Sequence, residues 1–445
     1  MNVLKSFNPA DGELVGEVTV TPADQIPAVV AQAKEAAKIW RRKTAKEQLA
    51  IVEAAYAKAE PHAERLAQLL SMEMGKDIRR STSEVQGSIF SGPYIGQGVV
   101  EALKSRNLGH GTTLQYQPLG VAAVISPWNY PLAMANNLII PALIAGNTVV
   151  FKPSEETPLI AQAFVEILNQ TLPEHVLQII HGDSEQGKAL VESDVDIVAF
   201  TGSMAAGRDI MQRAAGSLKR LVMELGGNDP MIVMNNANIE AAARFAVGSS
   251  VENAGQMCTS TERIYVDERI ADRFEQRVVE LTSSLSVGPW NQPGVNVGPI
   301  INERQHNRIV EHIRDAEVHG AKVLLGGSNQ PERYIQPTVI TGLTKAMRME
   351  SEETFGPVVA ISRFTNIQEA IERANDSIYG LGAVVFGGQG AEAVAEQMEA
   401  GMVGINQGPG GAGEAPWVGA KQSGFGFHGS AEGHRQFAQV RVIGK

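Results

Sequence analysis

Val121-Ala122-Ala123-Val124-Ile125, followed by Ser126-Pro127-Trp128-Asn129-Tyr130-Pro131, is a short apolar run that stops at a polar turn bounded by prolines. Five apolar residues in a row, without alternation, read as a strand buried on both faces. Similar runs follow at Thr148-Val149-Val150-Phe151, Val176-Leu177-Gln178-Ile179-Ile180 and Asp196-Ile197-Val198-Ala199-Phe200. Helix-like segments, such as residues 159–169, lie between several of them. Parallel strands with crossover helices produce this texture, so the fold class is predicted to be α/β, with a doubly wound parallel-sheet dinucleotide-binding domain.

The alternation resumes after Gly226, through Met231-Ile232-Val233-Met234, a helix from about Ile239, Lys322-Val323-Leu324-Leu325 and Pro357-Val358-Val359-Ala360. A second α/β domain is therefore expected from residue 227. Helical signals fill the first hundred residues. Thr21-Pro22 should open a helix running to about Arg42, Thr44-x-x-Glu47 is a capping box, Pro61 should start another helix and Gly75 should end one. Thr113-Leu114-Gln115-Tyr116-Gln117 alternates like an exposed strand, and residues 408–413 form a loop by composition.

A chain of 445 residues is long for one simple core and agrees with two large domains. The net charge of −11, with no basic block to offset it, argues against a nucleic-acid binder. One cysteine rules out a disulfide framework and suits a reducing cytoplasm, the expected location. None of the nine histidines has a recognisable metal spacing. The N-terminus carries no signal-peptide run. The most apolar region, residues 119–151, is broken by Pro127, Pro131, Pro141, Asn129, Asn136 and Asn137, whereas a membrane span needs roughly 20 largely apolar residues.

The single thiol, Cys258, sits in Glu252-Asn253-Ala254-Gly255-Gln256-Met257-Cys258-Thr259, where a small, polar approach leaves room for a substrate. A thiolate forms readily where dipoles or positive groups lower the thiol pKa. Glu224 closes an apolar run ahead of Gly226-Gly227, and burial there would raise its carboxyl toward a general base's range. Asn129, held between prolines, could donate to a developing oxyanion or could cap the next helix. Lys152 and Glu155, at the carboxyl end of a predicted strand, could grip a ribose diol. Thr201-Gly202-Ser203-x-x-x-Gly207 could bring a phosphate to a helix start. A Cys–His hydrolase stays open on spacing alone, because such partners meet only in the fold.

Taken together, these stretches resemble the aldehyde dehydrogenase superfamily from about Phe7 to Val442. Pro-Trp-Asn-x-Pro, Lys-Pro-Ser-Glu, Glu-Leu-Gly-Gly, Gly-Gln-x-Cys and Glu-x-Phe-Gly-Pro occur in the family's order, with Cys258 placed 34 residues after Glu224. The resemblance implies Cys258 as nucleophile, Glu224 as base and Asn129 as oxyanion donor. It places the cofactor on Ile125, Trp128, Lys152, Ser154, Glu155, Gly202, Ser203, Gly207, Leu225, Glu353 and Phe355. A small-molecule aldehyde is the implied substrate, with no nucleic-acid or membrane partner. NAD should be preferred, with NADP possible, because a carboxylate at 155 would repel a 2′-phosphate.

The implied domains are 1–105 with 119–226 for the dinucleotide and 227–428 for catalysis. Residues 106–118 with 429–445 would form an oligomerisation element, making a homo-oligomer. Coenzyme-A-acylating relatives usually lack the glutamate present here as Glu224; an idle NAD-binding protein would not need the intact trio. Residues 401–406 and 421–424 look like the succinate-semialdehyde branch, itself an alternative reading. That branch's two substrate arginines are replaced here by Glu252 and Asn137. An unpaired Glu252 would repel anionic aldehydes and favour neutral or cationic ones.

Overall fold

The computed structural model describes residues 2–410 and 415–445, so the loop expected at 408–413 lies partly outside the described residues. Two sheets carry the architecture. The six-stranded sheet has the order Gly424–Phe425, Arg220–Glu224, Ile197–Thr201, Val121–Ile125, Thr148–Lys152, Leu177–Ile179. Its strands are parallel except for the first pair. The run at 121–125 is its centre, with all five residues buried. The chain winds outward to Leu177–Ile179 and returns to the other side of that centre at Ile197–Thr201. A crevice therefore opens at the carboxyl ends of the two central strands, where open α/β sheets bind ligands.

The seven-stranded sheet has the order Lys322–Leu325, Thr338–Thr341, Val358–Phe364, Thr261–Asp267, Asp229–Val233, Gly382–Phe386, Met402–Ile405. Again only the first pair is antiparallel. The chain passes from one sheet to the other between Glu224 and Asp229. The carboxyl end of the first sheet thus feeds directly into the amino end of the second.

The chain also crosses back late. Gly424–Phe425 pairs with the edge strand Arg220–Glu224. Beside it, the Ser423 hydroxyl donates to the Gly226 carbonyl at 2.7 Å and accepts from the Gly380 N–H at 3.0 Å. The Leu225 N–H bonds the Ser423 carbonyl at 2.9 Å. Ser423 therefore ties both sheets at their junction.

Among the N-terminal helices, the capping box at Thr44 and Glu47 is formed as expected. The expected start at Thr21-Pro22 is displaced: a 3₁₀ turn at Ala23–Gln25 intervenes, and the α-helix spans Ile26–Trp40. A 3₁₀ turn, Glu60–His62, likewise precedes the helix Ala63–Met74, which Gly75 ends at φ 87°. The strand expected at 113–117 spans Thr112–Pro118 and is half-buried along its length rather than exposed. It lies between Ala438–Ile443 and Arg106–Gly109 in an antiparallel sheet, which leaves those outer strands as the open edges. No helix among the described residues is long and apolar enough to cross a membrane.

Candidate active site

Cys258 lies where the two sheets meet, ahead of the strand Thr261–Asp267, at the wall of a cavity of about 740 Å³. The loop before it is tightly wound. Asn253, Ala254 and Gly255 take φ values of 52°, 58° and 72° in succession. Side-chain bulk at Gly255 would collide with the Gly356 carbonyl, so this left-handed turn requires a residue without Cβ. Asn129 reaches the same loop from the first sheet: its Nδ2 donates to the Gln256 carbonyl at 3.0 Å. Asn129 and Cys258 therefore share one cavity wall.

Glu224 is 2 % exposed and ends its strand beneath that wall rather than lining the cavity. Neither carboxylate oxygen has a hydrogen-bond partner, and burial pushes its carboxyl well above the usual range. The Gly226-Gly227 pair has a steric reason. A Cβ at Gly226 would meet the Glu353 carboxylate at 2.6 Å, and one at Gly227 the Cys258 carbonyl at 2.5 Å.

The thiol does not behave as its sequence setting suggested. Burial, then the carboxylates of Asp229, Glu353 and Glu224, push Cys258 far above the ordinary thiol range. Both effects favour the protonated thiol over the thiolate.

The residues expected to hold a dinucleotide collect around the crevice. Ile125 and Lys152 are paired at the ends of neighbouring strands. Lys152 Nζ is buried, donates to the Pro153 carbonyl at 3.0 Å and lies 3.6 Å from Glu155; burial lowers its pKa, which Glu155 opposes. Glu155 stays partly exposed, and the Ser154 hydroxyl accepts from the Glu156 N–H at 3.3 Å. Ser203 caps the helix Met204–Ala215. Gly207 packs against Leu225, where a Cβ would come within 2.7 Å, and Gly202 lines the cavity.

Across the cavity, the rings of Trp128 and Phe355 meet edge to face at 5.6 Å. Phe355 has φ 55°, held because Glu262 accepts the N–H groups of Thr354 and Phe355 at 2.6 and 2.8 Å. Glu353 accepts the Gly227 N–H at 3.0 Å, and burial raises the carboxyls of both Glu353 and Glu262. The buried hydroxyls of Ser126 and Thr201, at the carboxyl ends of neighbouring strands, have no partner, and Thr201 lines the cavity. Unmet hydroxyls, a helix start and flat aromatic walls fit a dinucleotide.

Several contributors had no sequence motif of their own. Gln305 Nε2 donates to the carbonyls of Thr354 and Phe355 at 3.1 Å each, and Arg308 donates to the Glu353 carbonyl at 2.6 Å. Both lie on the helix Glu303–Val318, beyond the reach of any local signal. Glu252, expected as a free negative charge, is held by Arg80. Nε meets Oε1 and Nη2 meets Oε2, both at 2.8 Å, and the Tyr130 hydroxyl adds a contact at 3.3 Å. Arg80 lies far away in sequence, so the pairing could not be read there. Asn137 does not line the Cys258 cavity. It lines an adjoining one of about 530 Å³, which shares Tyr130 and Glu252 with the first.

Comparisons with known proteins identify the family. The family model described as "Aldehyde dehydrogenase family" matches residues 2–443. A probable succinate-semialdehyde dehydrogenase [NADP(+)] of Sinorhizobium fredii is 36 % identical, over 98 % of this chain and 91 % of that protein. The crystal structure of an aldehyde dehydrogenase from Brucella melitensis biovar abortus superposes with a TM-score of 0.95 at 34 % identity, covering 99 % of this chain and 93 % of the other. Betaine aldehyde dehydrogenase from Staphylococcus aureus, solved in complex with NAD+, gives 0.94 at 32 % identity, covering 99 % and 91 %. The chain belongs to the aldehyde dehydrogenase family and is an NAD(P)-dependent oxidoreductase of aldehydes.

Proposed function

We propose that Cys258, Asn129 and Glu224 carry the oxidation of an aldehyde to its carboxylic acid, and that NAD is the preferred cofactor. The observation that carries this reading is the meeting of Cys258 and Asn129 on one cavity wall, with an unpartnered, buried Glu224 beneath it. Cys258 gives its proton to solvent water, and its sulfur bonds the aldehyde carbon. The resulting oxyanion is received by the Asn129 amide and the Cys258 backbone N–H. When bound, the dinucleotide supplies the hydride acceptor. The acyl group remains on sulfur as a thioester. Water then attacks it, passing a proton to Glu224, which hands that proton to the departing sulfur as the acid leaves, restoring the thiol. Lys152, Ser154 and Glu155 would hold the adenosine ribose. Trp128, Glu353 and Phe355 would place the reacting ring, with Ile125, Gly202, Ser203, Gly207 and Leu225 forming the floor.

Uncharged aldehydes suit the entrance best. Arg80 cancels the Glu252 charge, which removes the advantage an unpaired Glu252 would have given to cations. Succinate semialdehyde is the second reading, favoured by the name of the Sinorhizobium relative and by Arg80 in the adjoining cavity. The outer strands Ala438–Ile443 and Arg106–Gly109 support a homo-oligomer, since open strand edges invite pairing. The deciding experiment follows nicotinamide reduction with a panel of neutral, anionic and cationic aldehydes, each dinucleotide, and Coenzyme A present or absent. Reduction with no aldehyde in the panel, or only with Coenzyme A, would overturn the hydrolytic reading.

A further inference from the structure

Lys76 stands on the short link between the helices Ala63–Met74 and Ile78–Ala102. The link is rigid. Gly75 ends the first helix in a left-handed conformation, and the Asp77 side chain caps the second by accepting the Arg80 N–H at 3.3 Å. The Lys76 side chain is wholly enclosed, and so is that of Glu84. An ammonium has three donor directions, and here each is occupied. Nζ donates to Glu84 Oε2 at 2.6 Å and to the Asn129 carbonyl at 2.7 Å, and it lies 3.8 Å from the centre of the Tyr130 ring. The other Glu84 oxygen accepts the N–H groups of Leu132 and Ala133, at 3.1 and 3.3 Å, at the start of the helix Pro131–Ile144.

The ion pair therefore grips the Asn129 turn on both sides. The same Asn129 carbonyl accepts Asn253 Nδ2 at 3.2 Å, and Asn253 Nδ2 also donates to the Gln256 carbonyl at 3.2 Å. Because the Asn129 amide meets that Gln256 carbonyl as well, the turn and the nucleophile loop close into a ring of hydrogen bonds. Lys76 is the one charged member of it. A buried charge is costly unless its site is fully satisfied, and this one is spent on main chain beside the reacting atoms.

We infer that Lys76, paired with Glu84, is a positioning residue that sets the Asn129 amide against Cys258. This rests on the reading of Asn129 as the oxyanion donor. A displacement of about 1 Å at a reacting group can lower a rate about 10²-fold, so a modest release of the turn has a large effect.

The test compares Lys76→Met, Lys76→Met/Glu84→Gln, Asn129→Ala and the triple variant in the full chain. The paired substitution leaves no buried charge unmatched, so it serves where Lys76→Met alone fails to fold. Thermal melting and dinucleotide titration accompany the pre-steady-state burst of nicotinamide reduction. Expected are a folded paired variant, dinucleotide affinity within about twofold of wild type and a burst slowed about 10- to 100-fold. In the Asn129→Ala background the same change should cost no more than about threefold, because residues acting as a unit are not additive. A wild-type burst in the paired variant would overturn the proposal. So would an undiminished loss on top of Asn129→Ala, or a loss traced wholly to weaker dinucleotide binding. Asn129→Ala reacting at the wild-type rate would instead sink the oxyanion assignment itself.

Discussion

Arg80 and Glu252 face each other as a two-pronged pair, with both N–O distances at 2.8 Å; Arg80 lines the smaller cavity and Glu252 lines both. Removing the carboxylate by Glu252→Ala leaves Arg80 Nε and Nη2 without a partner, while Nη1 stays with the Asp77 carboxylate and the Asn296 carbonyl; the released edge suits a substrate carboxylate. Such a charged contact is worth about 1.5–3 kcal/mol, or roughly 10- to 100-fold. Glu252→Ala is therefore expected to raise kcat/KM for succinate semialdehyde at least about tenfold relative to an uncharged aldehyde of equal length. Unchanged selectivity would mean that Arg80 does not face the substrate.

Cys258→Ala should abolish nicotinamide reduction. Asn129→Ala should slow it about 10²–10³-fold, the usual loss for one oxyanion donor. Glu224→Gln should still deliver one burst of reduced cofactor before stalling at the thioester. Stopped-flow absorbance separates the three, and steady turnover by Cys258→Ala would refute the nucleophile assignment.

Glu224 also carries a pH signature. Its carboxyl is raised in the folded chain by burial, so the neutral form is the stable one inside. The stability this provides is complete below the unfolded pKa, near 4.3, and is lost as pH rises through the higher folded value. Glu224→Gln keeps the neutral form at every pH. Its melting temperature should therefore exceed that of wild type by a margin that widens from about pH 5 upward. A margin independent of pH would show that Glu224 finds a charge partner in solution.

Cofactor choice turns on Glu155. A carboxylate about 4 Å from a 2′-phosphate costs about 1 kcal/mol per unit charge pair even in water. Glu155→Gln should tighten NADP about fivefold or more in binding titrations while weakening NAD slightly. Wild-type protein that already binds NADP more tightly would reverse the assignment.

The outer strand Ala438–Ile443 exposes Val440 and Val442, at 46 % and 61 %. Charged residues on an open edge oppose pairing. Val440→Asp/Val442→Asp should lower the mass measured by light scattering at micromolar concentration. A monomeric wild type would contradict the oligomer.

The parts of the site legible in sequence are those within a few residues of a strand end. Asn129, Lys152, Gly202 and Glu224 each follow a continuous apolar run, which predicts both the strand and the turn where its chemistry is displayed. Arg80, Gln305, Arg308 and Lys76 were not legible, because each lies in an ordinary polar helix or link and acquires its partner across the fold. The state of the thiol was hidden for a related reason. Burial, its leading cause, arises only in the fold, and the carboxylates that add to it come from the single turn 224–229 and from the distant Glu353. The strand at 112–118 alternates like an exposed one yet is half-buried, because it is flanked on both sides and one of its partners is the last strand in the chain.

The late return of Gly424–Phe425 bears on how the protein is made. The strand that ends in Glu224 has its outer edge covered only by those two residues, and Ser423 holds the junction at Gly226. A chain still emerging from the ribosome has Cys258 and Asn129 outside the tunnel long before residue 423 exists. During that interval the two sheets lack their tie and the carboxylate lacks its cover. A product cut before residue 423 would therefore keep the strands of the nucleotide crevice but lose this tie and this edge cover.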